Sequence, residues 1–430
     1  MRRVSAGAVL WFLAGIAVNA DDLPKEVVRL ARFKQAVRET LSQIPNYTCL
    51  ESIQRYGFEH HGRAFQPLDT VQVEISNLGD KEILSWPGAR RFAENSVSDF
   101  AAGGMMSSGV FALHARTVFL ADTTTIQYHG EEEFAGHMAS RYDFRVPQAW
   151  SGYQIHTNGL NVTVGTRGSF WIDAESLELL RLEVRADDPP PSLGIENHVT
   201  VIEYARARIG EADVLLPQSA RVLTTRVSGD ALRNDIEFSH CREFVADSTI
   251  HFDIPAASAV AASPAVRQVD VPGGLTITIE LQTAVDAASA KVGQLLSGRV
   301  VDDVRRKGQL IVPKGALATG RIRSFSRVRS PEPGIELTVE FEELAWEGAH
   351  AQFYAEMQSV PAGDSLLAMP AIDGGLPTVP SSSGSAAMTG VAGPQIPGTA
   401  VLHLKTQFRL KPGFRMSWRT LEPNVRRRAK

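Results

Sequence analysis

Three segments of this chain alternate apolar and charged side chains with a period of two. Val71, Val73 and Ile75 are separated by Gln72 and Glu74. Tyr142, Phe144 and Val146 are separated by Asp143 and Arg145, and Leu180, Leu182 and Val184 by Arg181 and Glu183. Successive side chains of an extended strand point to opposite faces, so each segment offers one face to an apolar core and one to water. A chain with such segments builds antiparallel sheet, and the apolar face must be covered. Further strands are predicted at 47–56, 123–129, 166–174, 197–208, 213–227 and 235–245.

Two segments are available as covers. Leu23, Val27, Leu30, Phe33, Val37, Leu41 and Ile44 recur at three- and four-residue steps, which predicts an amphipathic helix over 23–44. Asp21 or Asp22 can cap it, Pro24 suits its first turn, and Pro45 ends it. A weaker helical stretch spans 98–119, interrupted by Gly103, Gly104 and Gly109, each of which costs helix stability. Asp187-Asp188-Pro189-Pro190-Pro191 breaks the strand pattern as a stiff exposed loop.

The pattern then repeats in a second region. Residues 256–270 read as a linker, with Ala, Ser, Val and Pro dominating 256–266. Thr276 to Leu281 alternates, Gln309 to Gly315 is a strand running into a Pro-Lys-Gly turn, and Ala318 to Phe325 is its return. Ile335 to Phe341 and Ala351 to Met357 add strands. Residues 361–398 are dominated by Gly, Pro, Ser and Ala with almost no charge, the composition of a disordered insertion. A last strand at about 399–411 should return to pair with the earlier ones. The expected organisation is a first domain over 22–255 and a second over 271–418. A basic tail at 419–430 carries Arg426, Arg427, Arg428 and Lys430 and is either solvated or a contact for an anionic surface.

The first twenty residues have the order of a cleaved secretory signal: Arg2-Arg3, an apolar run from Val9 to Val18, then Val18-Asn19-Ala20 before Asp21. The run is short for a membrane span, and no later window is long and apolar enough to be one. In an exported chain, two cysteines suggest one disulfide, and Cys49 and Cys241 are the pair; two free buried thiols are the alternative. A bridge closing about 190 residues is worth on the order of 5 kcal/mol in the chain-entropy model. A formal charge of −4 over 430 residues argues against nucleic acid as the main partner.

The familiar catalytic motifs are missing from the sequence. The chain has no Gly-x-Ser-x-Gly elbow, no phosphate-cradling loop, no Gly-x-Gly-x-x-Gly, no His-Glu-x-x-His and no Cys-x-x-Cys. His60-His61 reads as a solvated turn, because neighbours on a strand face opposite ways. His129, Glu131, Glu132, Glu133 and His137 are denser in metal-ligand types, but they flank Phe134-Ala135-Gly136, which reads as a hairpin tip. Paired glycosidase carboxylates are a matter of geometry that sequence does not give. Trp150-Ser151-Gly152-Tyr153 is expected to seal a sheet edge, with sugar or partner binding as the alternative. Asn46-Tyr47-Thr48 and Asn161-Val162-Thr163 fit the glycosylation pattern, which is idle in a bacterial source. No cofactor or metal site is predicted.

Signal, long N-terminal helix, one-sided strands, helical insert and further strands occur in that order over 22–255. In this, the region resembles the LolA/LolB/LppX-like envelope proteins. The resemblance implies an incomplete antiparallel barrel with helices on its concave side and an apolar cavity for a lipid or lipoprotein; the glycine-rich insert departs from a firm helical plug. Residues 273–325 resemble the β-barrel module of TrbI-like conjugal transfer proteins, on Gly274-Leu275-Thr276-Ile277, Gly293 with Leu296-Ser297-Gly298, and Leu310 to Gly315 followed by Gly320. That resemblance implies an assembly module; the membrane anchor and Pro-rich arm of a secretion channel are absent. The whole chain is also similar to exported proteins of soil bacteria.

The expected fold class is thus mainly β with helices (α+β). It comprises an open antiparallel half-barrel covered by helices and a second small β-sandwich or barrel domain. The expected role is a non-enzymatic periplasmic or envelope protein that binds a lipid, a lipoprotein acyl chain or a partner protein. Two rivals stand beside it: an envelope scaffold with no small ligand, and a motif-free hydrolase of envelope polymers.

Overall fold

The computed structural model describes residues 23–78, 81–89, 116–157, 160–244, 267–328, 333–361, 385–386 and 399–422. The expected signal segment, most of the 98–119 stretch, the 256–266 linker, most of 361–398 and the end of the tail lie outside the described residues. Among those described, no helix is long and apolar enough to cross a membrane.

The helix α1 runs Lys25–Gln43. Pro24 is its N-cap rather than a first-turn residue, and makes no side-chain cap bond. The helix stops at Ile44, which is extended, as the residue before Pro45 must be. Twelve strands follow: β1 (Tyr47–Phe58), β2 (Gln66–Leu78), β3 (Lys81–Ser85), β4 (Thr125–Phe134), β5 (His137–Val146), β6 (Gln154–Thr157), β7 (Leu160–Thr163), β8 (Gly165–Asp173), β9 (Leu179–Asp187), β10 (Ile195–Ile209), β11 (Ala212–Arg226) and β12 (Ala231–Glu243). The pair β6–β7 stands apart as a hairpin. The other ten form one antiparallel sheet in the order β3-β2-β1-β12-β11-β10-β9-β8-β5-β4. It is a curled, open half-barrel, and its first and last strands, β1 and β12, meet in its interior.

Registers between the strands define one transverse row. Tyr128 faces Tyr142, then Phe170, Leu182, Ile202, Ala220, Ile236, Ile53 and Val71, crossing from β4 to β2. Directly opposed residues share a face, so the row is a continuous apolar band on one side of the sheet. Tyr142 to Val71 are all buried, while Tyr128 on the edge strand is 40% exposed. The opposite face carries the charged half of the alternation: Arg145 pairs with Asp187 at 2.6 Å and Arg185 with Glu183 at 2.6 Å. The sequence pattern places Leu180 in the core; instead Leu179 is buried and Leu180 half-buried, because β8 and β9 slip register between Trp171 and Ile172.

Helix α1 lies against the apolar band. Phe33 packs its ring on Phe170 at 5.8 Å and on Phe119 at 5.0 Å. Phe119 belongs to a single π-helical turn, Arg116–Leu120, the described remnant of the expected 98–119 helix. The Tyr142 hydroxyl donates to the Glu26 carbonyl at 2.8 Å, and Arg29 pairs with Glu131 of β4 at 2.7 Å.

The second sheet joins, in order, Arg267–Gln268, Ala349–Gln352, Gly334–Trp346, Leu317–Val328, Leu295–Val300, Thr276–Leu281, Arg415–Thr420, Ala355–Pro361 and Ser385–Ala386. Ala400–Lys405 pairs beside Gly334–Val339, as the returning last strand was expected to do. Two boundaries move. Residues 267 and 268, given to the linker, form a strand parallel to 349–350. Arg419 and Thr420, given to the tail, complete an interior strand that was not among those expected, and the Thr420 hydroxyl donates to the Pro272 carbonyl at 2.7 Å.

The two sheets touch. Val71 bridges to Val292, with Gln72 N–H donating to the Val292 carbonyl and Val292 N–H to the Thr70 carbonyl, both at 2.8 Å. Gly293, at φ +89°, follows; a Cβ there would lie 2.3 Å from the Gln72 carbonyl oxygen, so the close approach needs glycine. Arg321 and Arg323 lie over the Trp86 ring, Arg321 donates to the Pro87 carbonyl at 3.2 Å, and Glu342 holds both guanidinium groups. The buried apolar side chains of the two sheets form one continuous cluster.

Candidate functional site

The seam between β1 and β12 holds the most unusual chemistry on the apolar side of the first sheet. Tyr47, Cys49, Glu51 and Ile53 lie in phase on β1 and are all buried. Cys49 is bonded to Cys241 of β12, 192 residues away in sequence. The two strands slip register between Thr48 and Leu50, where His240 takes φ +52°. This bulge brings the bonded cysteines together across the seam.

Glu51 follows Cys49 on the same face. It is opposed by Phe238 on one side and Val73 on the other, and is only 3% exposed. Among the described residues, its carboxyl has no hydrogen-bond partner and no neighbouring cation. Burial, and secondarily the charge of Glu82, pushes it up to about 8, so at neutral pH it is mostly the uncharged acid. Glu82 of β3 also acts electrostatically on the Tyr47 and Tyr204 hydroxyls, both pushed up by burial. Asn77 donates to the Tyr47 oxygen at 3.4 Å. The Tyr204 hydroxyl, on β10, is buried and has no hydrogen-bond partner among the described residues. The charge of Glu82 on β3 thus reaches Glu51 and Tyr47 of β1 and Tyr204 of β10. Acids and orphaned hydroxyls are costly in such places, and groups with strongly shifted ionisation cluster at functional sites.

A second buried polar group is fully satisfied. His198 of β10 is bonded to the Tyr153 hydroxyl at 2.6 Å and to Thr224 Oγ1 at 2.7 Å, and burial pushes it down to about 4. Tyr153 thus seals a small outlying core with Ile155, Val164 and Leu193. Trp150 does not seal the edge as expected: it is 64% exposed, on the short turn Gln148–Trp150.

The other sequence candidates separate. His60 and His61 lie between β1 and β2, exposed, with ring centres 4.7 Å apart. The acidic, His-rich segment forms the β4–β5 hairpin, where its groups find separate partners. His129 meets Asp143 at 3.1 Å, His137 meets Asp173 at 2.9 Å, Glu131 meets Arg29, and Glu132 accepts from the Trp171 indole. Among the described residues, no three such groups converge as a metal site. A shallow groove at Arg145, Arg167, Asp187 and Asn197 is open to solvent, and both its arginines face Asp187.

Sequence reasoning missed Glu51, Tyr204 and His198. For Glu51 a signal existed: it occupies the apolar phase set by Tyr47, Cys49 and Ile53, where an acid does not belong.

No family model and no curated protein matches the chain. Solved structures similar to about half of it include the following three. A DUF1329 family protein from Desulfovibrio piger is 12% identical over 51% of this chain and 94% of its own, with a TM-score of 0.29. A putative outer membrane lipoprotein-sorting protein domain from Vibrio parahaemolyticus is 11% identical over 50% and 91%, at 0.28. A LolA superfamily protein from Nitrosomonas europaea is 11% identical over 49% and 94%, at 0.24. These are the kind of protein that residues 22–255 resemble; no TrbI-like protein is among the three. A likeness at this level carries no functional argument, so a role for this chain has to come from its own geometry.

Proposed function

We propose that this chain is a non-enzymatic, exported envelope protein that carries an apolar ligand, the acyl chain of a lipid or lipoprotein, between α1 and the apolar face of the first sheet. The observation that carries the reading is the mismatch between band and cover. Eight strands, from β5 across to β2, contribute a buried apolar residue to one unbroken row, yet of the apolar stripe on α1 only Phe33 is fully buried. Leu30 and Val37 are half-buried, and Leu23 and Val27 are 46% and 45% exposed. A helix that belongs wholly to a core hides its stripe; this one lies over the band as a partial lid. The division into a carrier domain over 22–255 and a second β domain over 271–418 belongs to this reading. So does an address in the periplasm, supported by the signal-like N-terminus and the disulfide.

The test is binding of a fluorescent long-chain fatty acid probe to the native protein and to Val27→Glu, a substitution at an exposed position that leaves the fold intact. Saturable binding by the first, weakened about tenfold or more in the second, supports the carrier. Equal binding by both, or none by either, rejects it.

The scaffold rival draws on one observation, the junction at Trp86 and Arg321, which makes a stiff two-sheet unit suited to presenting surfaces to a protein partner. The hydrolase rival draws no support from Glu51, which is buried opposite Phe238 and Val73.

A further inference from the structure

We propose that the outward face of the β6–β7 hairpin, together with Trp150, binds an uncharged stretch of a polysaccharide chain. The inference is independent of the carrier reading: it concerns surface side chains and holds whether or not a lipid lies beneath α1.

The first observation is a lack of charge where charge is the norm. Residues 147–164 contain no Asp, Glu, Lys or Arg, although those four make up 21% of the chain. Core segments are uncharged because they are buried, but this one reaches the surface. Gln148, Trp150, Gln154 and Asn161 are exposed, Trp150 at 64%. The second observation is that hydrogen bonds gather these side chains. Gln154 opposes Thr163 in the hairpin, and the Asn161 amide donates to the Gln154 side-chain oxygen at 3.2 Å, so the three share one face. Gln148 donates to the Thr163 carbonyl at 2.8 Å, which ties the Gln148–Trp150 turn to the same end of the hairpin. The other face is anchored: Ile155 and Val164 are buried, and the Tyr153 hydroxyl is bonded to His198 at 2.6 Å. The outward face is therefore held by packing beneath it, as a binding surface requires.

The side-chain chemistry selects the occupant. A pyranose ring has a flat face of C–H groups and a rim of hydroxyls, each both donor and acceptor. An exposed indole offers the matching apolar plane, and a primary amide offers a donor and an acceptor side by side. With Asn161 donating to Gln154, the Asn161 carbonyl and the Gln154 amino group remain to meet a pair of sugar hydroxyls. Other occupants fit less well. A bilayer would bury the amides of Gln148, Gln154 and Asn161 along with Trp150, and buried amides are costly. A polyanion finds no cation on the hairpin, and the arginines that flank the segment, Arg145 and Arg167, face Asp187.

The experiment is titration calorimetry of the full chain with two neutral sugars, chitotetraose and cellotetraose, and with tetragalacturonate as an acidic counterpart. The expected result is saturable binding of a neutral tetramer, unchanged when salt is raised to about 0.5 M, because no ion pair is involved. Trp150→Ala should weaken it about tenfold or more through the lost ring contact, and Asn161→Ala about three- to tenfold, each with an unchanged unfolding temperature. Failure of both neutral sugars to bind overturns the proposal, and so does binding that Trp150→Ala leaves intact. A preference for tetragalacturonate that salt abolishes overturns it in favour of the flanking arginines. Flotation with phosphatidylcholine vesicles and sedimentation of the protein alone cover the other occupants: Trp150-dependent vesicle binding or self-association, without sugar binding, gives this face to a membrane or to a second copy instead.

Discussion

Replacing Glu51 by Gln should make the protein more stable, and by an amount set by pH. The Glu51 carboxyl titrates near 8 in the folded chain against 4.5 in the unfolded one. The sign is opposite to that of a salt-bridged acid. Because the folded-state value is raised, the folded protein holds a proton that the unfolded chain gives up above pH 4.5. Stability is therefore whole below 4.5, declines as pH rises, and levels off above 8. At 1.36 kcal/mol per pH unit, the loss is about 3 kcal/mol at pH 7 and about 5 kcal/mol above pH 8. Gln keeps the shape but cannot ionise, so it escapes the loss. Its own buried amide adds a constant cost at every pH, so the informative quantity is the slope of the difference, not its offset. For a unit of about 200 residues, 3 kcal/mol corresponds to roughly 6–12 °C in Tm. Thermal unfolding followed by circular dichroism at pH 4.5, 6, 7 and 8.5, with the disulfide intact, gives that slope. The expected result is that Glu51→Gln gains on the parent steadily from pH 4.5 to 8. Parallel curves would refute the burial of an unpaired acid at this position.

The same geometry sets three further outcomes. His198 is held neutral, down at about 4 from 6.5, so its contribution is lost as pH falls through that window; His198→Gln should remove about 3 kcal/mol of acid lability between pH 6.5 and 4 in urea titrations, and an unchanged acid profile counts against it. The double substitution Cys49→Ser, Cys241→Ser should cost about 5 kcal/mol, since the bridge closes a 192-residue separation on the β1–β12 seam; a change under about 1 kcal/mol would show that the seam holds without it. Gly293→Ala should strain the junction between the sheets by on the order of 1–3 kcal/mol and speed hydrogen exchange at the Gln72 and Val292 amides, with unchanged exchange as the contrary result.

What the sequence made legible was the part of the fold written in single residues at fixed spacing. Val71-Val73-Ile75 and Tyr142-Phe144-Val146 are strands with the expected faces, and the 23–44 stripe is α1 to within two residues at each end. The cysteine pair was legible because a chain read as exported favours bonding its two thiols over leaving them free, and Cys49 and Cys241 are bonded. Features set by pairing were not. Leu179 replaces Leu180 in the core because β8 and β9 slip, which neither strand announces alone. Arg415-Met416-Ser417-Trp418-Arg419-Thr420 alternates, yet it comes after Pro412-Gly413 and runs into a basic tail, so it reads as an ending rather than as an interior strand. The junction of Val71 with Val292 joins residues over two hundred positions apart through backbone bonds that any side chain could make. Glu51 breaks the apolar phase of β1 in plain view, whereas the buried, unpartnered Tyr204 hydroxyl has no such signal in the sequence.

Whether the apolar face of the first sheet carries a ligand beneath α1 is decided by native mass spectrometry of the full chain purified from the periplasm, followed by organic extraction and lipid analysis. A carrier should show a bound species of lipid mass at near one per chain, extractable and reduced in Val27→Glu. Protein that emerges at its bare mass, with an empty extract, would contradict it.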